Sequence, residues 1–251
     1  MQKSIKTEKI SAGSFDLNKW LFGGYEKDII TMIAGNAGSG KTNLCILAAC
    51  SQAKKGNKVI FIDTEGGFST DRVRQVTGTD YEKCLKKILL LNPTSFEEQK
   101  HSFEKLLQML NETAAKNSLE IGLIVIDGVG MLYRLSLGDA IKTKDEEKIR
   151  EVNREAARQM KILTEIARKQ NIPILITNQV YSEFLSEDEL RKGKERTTNI
   201  VGGNLFEYWS KCIIELVNDK DKRKAILLKH RSLPRKELQF EIKDKGIFKK
   251  R

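Results

Sequence analysis

The stretch Gly35-Asn36-Ala37-Gly38-Ser39-Gly40-Lys41-Thr42 fits the pattern G-x-x-x-x-G-K-[ST] at every fixed position. Its chemistry would be a grip on a chain of phosphates. Glycines let the main chain of residues 35–40 turn its N–H groups inward on an anion, and the N-terminus of the helix that follows attracts the same charge. Lys41 is placed to reach the β- and γ-phosphate oxygens, and the Thr42 hydroxyl to ligate Mg²⁺, with Asn43 extending the cradle into the helix. A plain Gly-rich turn ahead of a helix would leave the register of Gly35, Gly40, Lys41 and Thr42 unexplained.

Other polar residues close apolar runs. Asp127 ends Leu123-Ile124-Val125-Ile126. Beside a phosphate loop it is expected to hold the Mg²⁺ shell through water. Glu65, in Asp63-Thr64-Glu65-Gly66-Gly67, follows a different strand. Ligands of an open parallel sheet bind beyond the carboxyl ends of its strands, so Glu65 would face the γ-phosphate, where a carboxylate can orient and deprotonate water. The alternative is a helix-capping or solvent-facing acid. Gln179 ends a third run, Ile172 to Thr177 followed by Asn178. Its amide could bond the γ-phosphate, lose that bond on hydrolysis and report the change to the segment behind it. Lys229 and Arg231 lie two apart, so on a strand they project from one face. They would clamp a neighbouring subunit's γ-phosphate, or form a surface basic pair.

These residues need a scaffold, and the chain alternates strand-like and helix-like segments in the manner of a parallel sheet covered by helices. Ile29–Ala34, Lys58–Asp63, Ile88–Leu91, Leu123–Asp127 and Ile172–Thr177 read as strands, with Leu123–Asp127, the most apolar, at the centre. Phe103, Leu107, Leu110 and Ala114 mark one helical stripe; Ile149, Val152, Ala156, Met160, Leu163 and Ala167 mark another. Arg150, Arg154, Arg158 and Lys161 lie off that stripe and read as a solvated face. Arg134 to Glu147 and Val180 to Asn199 read as loops. The second mixes Arg191, Lys192, Lys194 and Arg196 with Glu187, Asp188, Tyr181 and Phe184, which suits either a nucleic-acid contact or a plain surface loop. After residue 205, Cys212–Val217, Ala225–Lys229 and Leu238–Ile242 read as antiparallel strands, with a hairpin turn at Asn218–Asp221. The expectation is one α/β domain over 1–251: a lead-in (1–28), a core (29–242) and a basic tail (243–251) that frays or touches nucleic acid.

Composition bounds the rest. The 251 residues suffice for one α/β domain with a large core. Lys and Arg number 45 against 34 Asp and Glu, a net charge of +11 that suits a polyanionic partner. No long apolar run suggests a membrane span, and no apolar leader follows Met1. Cys45, Cys50, Cys84 and Cys212 form no C-x-x-C pair and read as reduced and structural, as in a cytoplasmic protein. Two histidines, His101 and His230, cannot build a His-rich metal site.

With these motifs in order, the chain resembles a RecA-superfamily recombinase core with a RecA-like phosphate-loop fold, nearest to the archaeal RadB family of RadA paralogues. The resemblance covers residues 10 to 248. It is carried by the phosphate loop, Ile62-Asp63-Thr64-Glu65-Gly66, Val125-Ile126-Asp127, Leu132-Tyr133-Arg134, Ala157-Arg158-Gln159-Met160, Ile176-Thr177-Asn178-Gln179-Val180, Gly202-Gly203-Asn204 and Lys229-His230-Arg231-Ser232-Leu233-Pro234. It implies ATP and Mg²⁺ as ligands, single-stranded or branched DNA as partner, and a role in recombination and repair. It makes Glu65 the water-activating glutamate and Gln179 the γ-phosphate sensor. Residues 134–147 and 180–199 correspond to the two DNA-facing loops, with Arg134, Arg191, Lys192, Lys194 and Arg196 as contacts, and Arg72 corresponds to an arginine that packs on adenine. A recombinase, a junction nuclease or further copies of the chain are implied partners. Core-type sequence begins near residue 10, without the N-terminal helical domain and phenylalanine-bearing polymerisation segment of RadA-like recombinases. The implied role is therefore an accessory factor with weak ATPase and no strand exchange of its own. Gly128 and Gly130 depart from the recombinase pattern, and Lys229-His230-Arg231 also resembles KaiC-like regulatory ATPases, which act without DNA.

Overall fold

The computed structural model describes residues 8–115, 121–182, 198–219 and 222–250. Its first half runs β1 (Lys9–Ile10), α1 (Phe15–Trp20), β2 (Tyr25–Glu26), β3 (Ile30–Gly35), α2 (Lys41–Lys54), β4 (Lys58–Asp63), α3 (Thr70–Thr77), α4 (Tyr81–Leu85), β5 (Ile88–Leu91) and α5 (Phe96–Ala115). The second half runs β6 (Ile121–Asp127), α6 (Met131–Lys142), α7 (Glu146–Gln170), β7 (Ile174–Asn178), β8 (Val180–Ser182), β9 (Thr198–Ile200), α8 (Asn204–Trp209), β10 (Cys212–Asp219), β11 (Lys222–Lys229), β12 (Lys236–Lys243) and β13 (Gly246–Lys249). One large sheet has the order β13-β12-β11-β10-β3-β7-β6-β4-β5. From β10 to β5 neighbours run parallel; from β10 to β13 they run antiparallel. This is the expected α/β class: a mostly parallel sheet with C-terminal antiparallel strands.

The inner strands read as unbroken apolar runs because helices cover both faces. The two-residue period survives as a choice of core. Ile33, Val59, Phe61, Leu123 and Val125 join α2 and α1 on one face. Met32, Ala34, Ile60, Ile62, Ile124 and Ile126 join α5 and α7 on the other. Phe61 is fully buried, so truncating it to alanine would cost about 3–5 kcal/mol. β6 is an inner strand, though β3 is the middle one, because the four C-terminal strands, β10 to β13, extend the sheet on the far side.

α7 follows its predicted stripe. Val152, Ala156, Met160, Leu163 and Ala167 are buried, joined by Gln159 and Ile166. Asp145 caps it by accepting from Lys148 N at 2.9 Å, and Asn171 ends it in the left-handed region. In α5 the stripe turns slightly, so Leu106 is fully buried and Leu107 only partly.

Two expectations need correction. Residues 134–147 are not a loop: α6 occupies Met131–Lys142, with Leu132, Tyr133 and Ala140 buried, and α7 starts at Glu146. Leu132, Tyr133 and Ala140 fall on one helical face and bury it. Nor does the tail fray from residue 243. Gly246–Lys249 forms β13 against β12, with Ile247 buried. The lead-in holds that edge. Ser14 Oγ donates to Ile247 O at 2.6 Å, and Asp16 Oδ2 accepts from Lys249 N at 2.8 Å. An edge strand's outward groups are thereby spent on α1. The β10–β11 hairpin is paired as far as Asp219↔Lys222, while its turn, 220–221, lies outside the described residues.

Candidate nucleotide-binding site

β3, β7, β6 and β4 lie side by side and parallel, so their carboxyl ends deliver the phosphate loop, Gln179, Asp127 and Glu65 to one edge. In the loop, a Cβ on Gly35 would lie 2.6 Å from both Leu216 O and Ser39 Oγ. Gly38 and Gly40 hold φ of 72° and 107°, values that L side chains rarely adopt. Gly40 also caps α2 without a side-chain acceptor. The first-turn amides therefore have no capping partner, the condition in which a helix start receives an anion. Lys41 is 6% exposed, and its Nζ donates to Gly35 O (2.9 Å) and Asn36 O (3.1 Å). Burial lowers its pKa, against the opposing pull of the Glu65 and Asp127 carboxylates. Ser39 Oγ is buried with no partner.

Opposite Lys41, Asp127 is 2% exposed. Its Oδ1 accepts from Thr177 Oγ1 at 2.6 Å, whereas Oδ2 has no hydrogen-bond partner. The Thr42 hydroxyl is still near enough to act on its charge. Burial raises the Asp127 pKa, the Thr177 and Thr42 hydroxyls pull it down, and Asp63 and Glu65 push it up again. A buried carboxylate with one oxygen unspent, beside a threonine hydroxyl and two more acids, wants a cation. Among the described residues no group of three or more His, Cys, Asp or Glu forms a protein-only cage. The set fits Mg²⁺, which keeps several waters and takes few protein ligands.

Glu65 and Gln179 meet: Gln179 Nε2 donates to Glu65 Oε1 at 3.3 Å. Three residues that sequence reasoning gave no role build this pair. Asp63, 3% exposed, accepts from the amides of Glu65 (3.2 Å), Gly67 (3.2 Å) and Phe68 (2.8 Å), which fixes the turn carrying Glu65. Thr64 Oγ1 donates to Asp127 O and Gly128 O, tying the ends of β4 and β6. Thr177 accepts from Gly128 N at 2.7 Å while donating to Asp127. The signal available was position: each is a polar residue at, or one residue from, the last position of an inner strand. Gly128, the departure noted above, has φ 89°, and a Cβ there would lie 2.5 Å from Thr64 Oγ1. Gly130 likewise leaves room for Asn178.

Behind Gln179, Asn178 Nδ2 donates to Val201 O (2.7 Å) and Val201 N to Gln179 O (2.9 Å). β8 and β9 pair antiparallel, Val180↔Ile200 to Ser182↔Thr198, as the stem of the segment between them. Arg191, Lys192, Lys194 and Arg196 lie outside the described residues. Arg134 is exposed on α6, beyond the carboxyl end of β6. Arg72 lies on α3, its guanidinium against the β12–β13 turn.

Lys229 and Arg231 do not form one clamp. Lys229 ends β11, and Arg231 lies beyond the strand, where the two-residue rule no longer holds. Lys229 Nζ donates to Glu207 O (2.9 Å), while Arg231 contacts Asp28 (2.6 and 2.8 Å) and Glu26 (2.6 Å). Both sit at the amino end of β3 and β10, opposite the phosphate loop. The four cysteines are buried and free, and burial pushes the Cys50 and Cys212 thiols up to about 12. No helix among the described residues is long and apolar enough to cross a membrane.

Comparison with known proteins agrees with this arrangement. The Rad51 family model matches residues 3–250. A protein of Methanococcus maripaludis strain C7 named "DNA repair and recombination protein RadB" is 40% identical over 232 residues, 92% of this chain and 96% of its own. Proteins of the same name from Methanosphaera stadtmanae and Methanocaldococcus jannaschii are 38% and 37% identical, over 92% of this chain and 92% and 98% of theirs. With a phosphate loop, an acid and an amide gathered on one parallel edge, and a match spanning nearly its whole length, the chain belongs to the Rad51 family.

Proposed function

We propose that this protein binds ATP with Mg²⁺ and binds DNA, and that it serves DNA repair and homologous recombination as an accessory member of its family. The observation that carries the nucleotide reading is the unspent charge at the carboxyl edge: Asp127 Oδ2 without a partner, beside Lys41 bonded only to its own loop. The DNA reading rests on family membership, the name of its relatives and the net charge of +11. The name of its relatives supports a role in repair and recombination, and the accessory role is what the resemblance of the sequence to the RadB family implies.

In this reading the loop amides and Lys41 hold the triphosphate and orient it along the strand ends. Thr42, and Asp127 through water, would hold Mg²⁺, which supplies neutralisation of phosphate charge when bound. Glu65 orients a water toward the γ-phosphorus and accepts its proton. Gln179 bonds either the γ-phosphate or, without it, Glu65. Its exchange between the two moves Val201 and the β8–β9 stem, which makes slow hydrolysis a switch for the segment between those strands. Arg134, Arg191, Lys192, Lys194 and Arg196 are the proposed DNA contacts.

The test is DNA retention across a salt series, with and without ATP. Binding that falls steeply as salt rises and changes with ATP is expected, since phosphate contacts release counterions. No retention even at low salt would reject the DNA role and favour a KaiC-like regulatory ATPase.

A further inference from the structure

Two glutamines are buried behind the site, in a core otherwise built from side chains such as Phe103, Leu106, Met160 and Leu163. Gln99, on α5, is fully buried, and Gln159, on α7, is 2% exposed. Gln99 Nε2 donates to Gln159 Oε1 (2.8 Å) and, at longer range, to Val129 O (3.5 Å). Gln159 Nε2 donates in turn to Glu155 Oε1 (3.2 Å), whose other oxygen accepts from Arg158 Nη1 (3.3 Å). An ionised carboxylate only accepts. Glu155 therefore sets the orientation of both amides, and Gln99 must present its donors to Gln159 and Val129. Gln99 Oε1 is left buried with no hydrogen-bond partner among the described residues. An unpaired buried oxygen lowers stability, so packing alone does not explain the choice of glutamine.

Val129 is the middle of the turn that leaves β6, and its N–H donates to Thr177 O at 3.0 Å. The turn is thus held from β7 and, through Gln99, from α5. On its other side lie the groups of the site. A Cβ on Gly128 would be 2.7 Å from Glu65 Cγ and 2.8 Å from Glu65 Oε1, and one on Gly130 would be 2.6 Å from Asn178 Oδ1. Bare backbone therefore lies against Glu65 and against the residue that precedes Gln179. α5 offers a fixed support, because its first turn is doubly capped. Ser95 Oγ accepts from Glu98 N (3.1 Å), and Glu98 Oε2 accepts from Thr94 N (2.7 Å).

We propose that Gln99, oriented by Gln159 and Glu155, is a positioning residue for Glu65. It fixes the Gly128–Gly130 turn on which the carboxylate rests, so that Glu65 stands at the right height to hold water. Neither glutamine is bonded to Glu65, and the effect passes through the main chain of the turn. The proposal rests on the nucleotide reading above, which gives Glu65 that water.

The experiment uses the full chain as wild type, Gln99→Met, Gln159→Met and the double variant. Methionine fills a similar volume without donors. Denaturant unfolding, displacement of a fluorescent ATP analogue by ATP with Mg²⁺, and single-turnover ATP hydrolysis are measured on each. Replacing both members of a buried polar pair by apolar groups is close to neutral for stability. The double variant is therefore expected to unfold at or above the wild-type midpoint and to bind ATP about as tightly. It should hydrolyse bound ATP about ten- to a hundredfold more slowly, as a slightly misplaced reacting group does. Gln99→Met should be as slow as the double variant yet less stable, because Gln159 Oε1 then lacks its donor. Rate follows Gln99 in this account, and stability follows pairing. A double variant that hydrolyses as fast as wild type, one too unstable to fold, or rates that track stability across all three variants would overturn the proposal. Failure of the nucleotide reading looks different: wild type itself would not bind or not hydrolyse ATP, and the role of Gln99 would fall with it.

Discussion

The two ends of the sheet bury ionisable groups in opposite ways. At the amino end, Glu26 is 3% exposed, with Arg231 Nε at 2.6 Å and Lys9 and His230 each at 3.8 Å, and Asp28 takes the other edge of Arg231. That charge is balanced inside the chain. Arg231 holds the Asp28 carboxyl below its usual range. At the carboxyl end, buried Asp127 and the more exposed Glu65 act on one buried lysine, Lys41, and that lysine bonds main-chain oxygens instead of the acids. Burial of a charge without a partner is costly. A fold that leaves Asp127 Oδ2 without a partner at one end while setting cations around its buried acid at the other leaves the first end suited to a ligand. The Lys229-His230-Arg231 stretch belongs to the balanced end. His230 Nδ1 accepts from Ser232 N and Leu233 N, each at 3.1 Å, which holds the chain as it leaves β11.

The contrast can be tested by removing one group at a time. The largest effect is expected from Glu65→Gln, which keeps the shape and the contact to Gln179 but loses the base. Turnover should fall about a hundred- to a thousandfold with ATP affinity nearly unchanged. Equal turnover in a steady-state phosphate-release assay would remove Glu65 from the mechanism. Next, Arg231→Ala leaves Glu26 buried and short of its main cation. Unfolding in denaturant should show a loss of about 2 kcal/mol, below the full cost of breaking a buried pair because Arg231 is partly exposed. Nucleotide affinity should be unaffected, since the two ends are separate.

Asp127→Asn is expected to act in the opposite sense on stability. The raised pKa of Asp127 means the fold prefers its protonated form. Its contribution to stability is complete below the ordinary carboxyl pKa and lost as pH rises through the raised value. At neutral pH the native state therefore carries a penalty that Asn removes, a gain of about 1 kcal/mol. That gain should shrink as pH falls through the ordinary carboxylate range. Dependence of nucleotide binding on Mg²⁺ should be lost in the same variant. A less stable Asp127→Asn protein at neutral pH would mean that the carboxylate is already compensated within the fold.

Much of the carboxyl edge was legible before the structure. The phosphate loop declares itself because glycine, lysine and threonine are each demanded by geometry or charge. Asp127, Glu65 and Gln179 were readable because apolar runs end at or just before them, and parallel strands share an edge. The supports were not. Thr177 and Thr64 act through hydrogen bonds to β6, distant from both in sequence, and that neighbour follows from sheet order, which the sequence does not print; Asp63 acts on the amides of the turn that follows it. α6 was misread because residues 134–147 correspond by resemblance to a DNA-facing loop, whereas Leu132, Tyr133 and Ala140 give them one buried helical face. β13 was missed because a basic stretch reads as solvent-exposed, whereas the packing of Ile247 and the bonds of β13 to Ser14 and Asp16 are long-range. Lys229 and Arg231 were paired by a strand rule, but β11 ends at Lys229, two residues before Arg231.

The most direct test of the account is calorimetric titration of ATP–Mg²⁺ into wild type and Lys41→Ala. Wild type should bind at one site, and Lys41→Ala should lose about a hundredfold in affinity or show no heat, because the one buried cation of the loop is gone. Equal binding by the two proteins would contradict the claim that the open charge at the carboxyl edge is completed by a triphosphate.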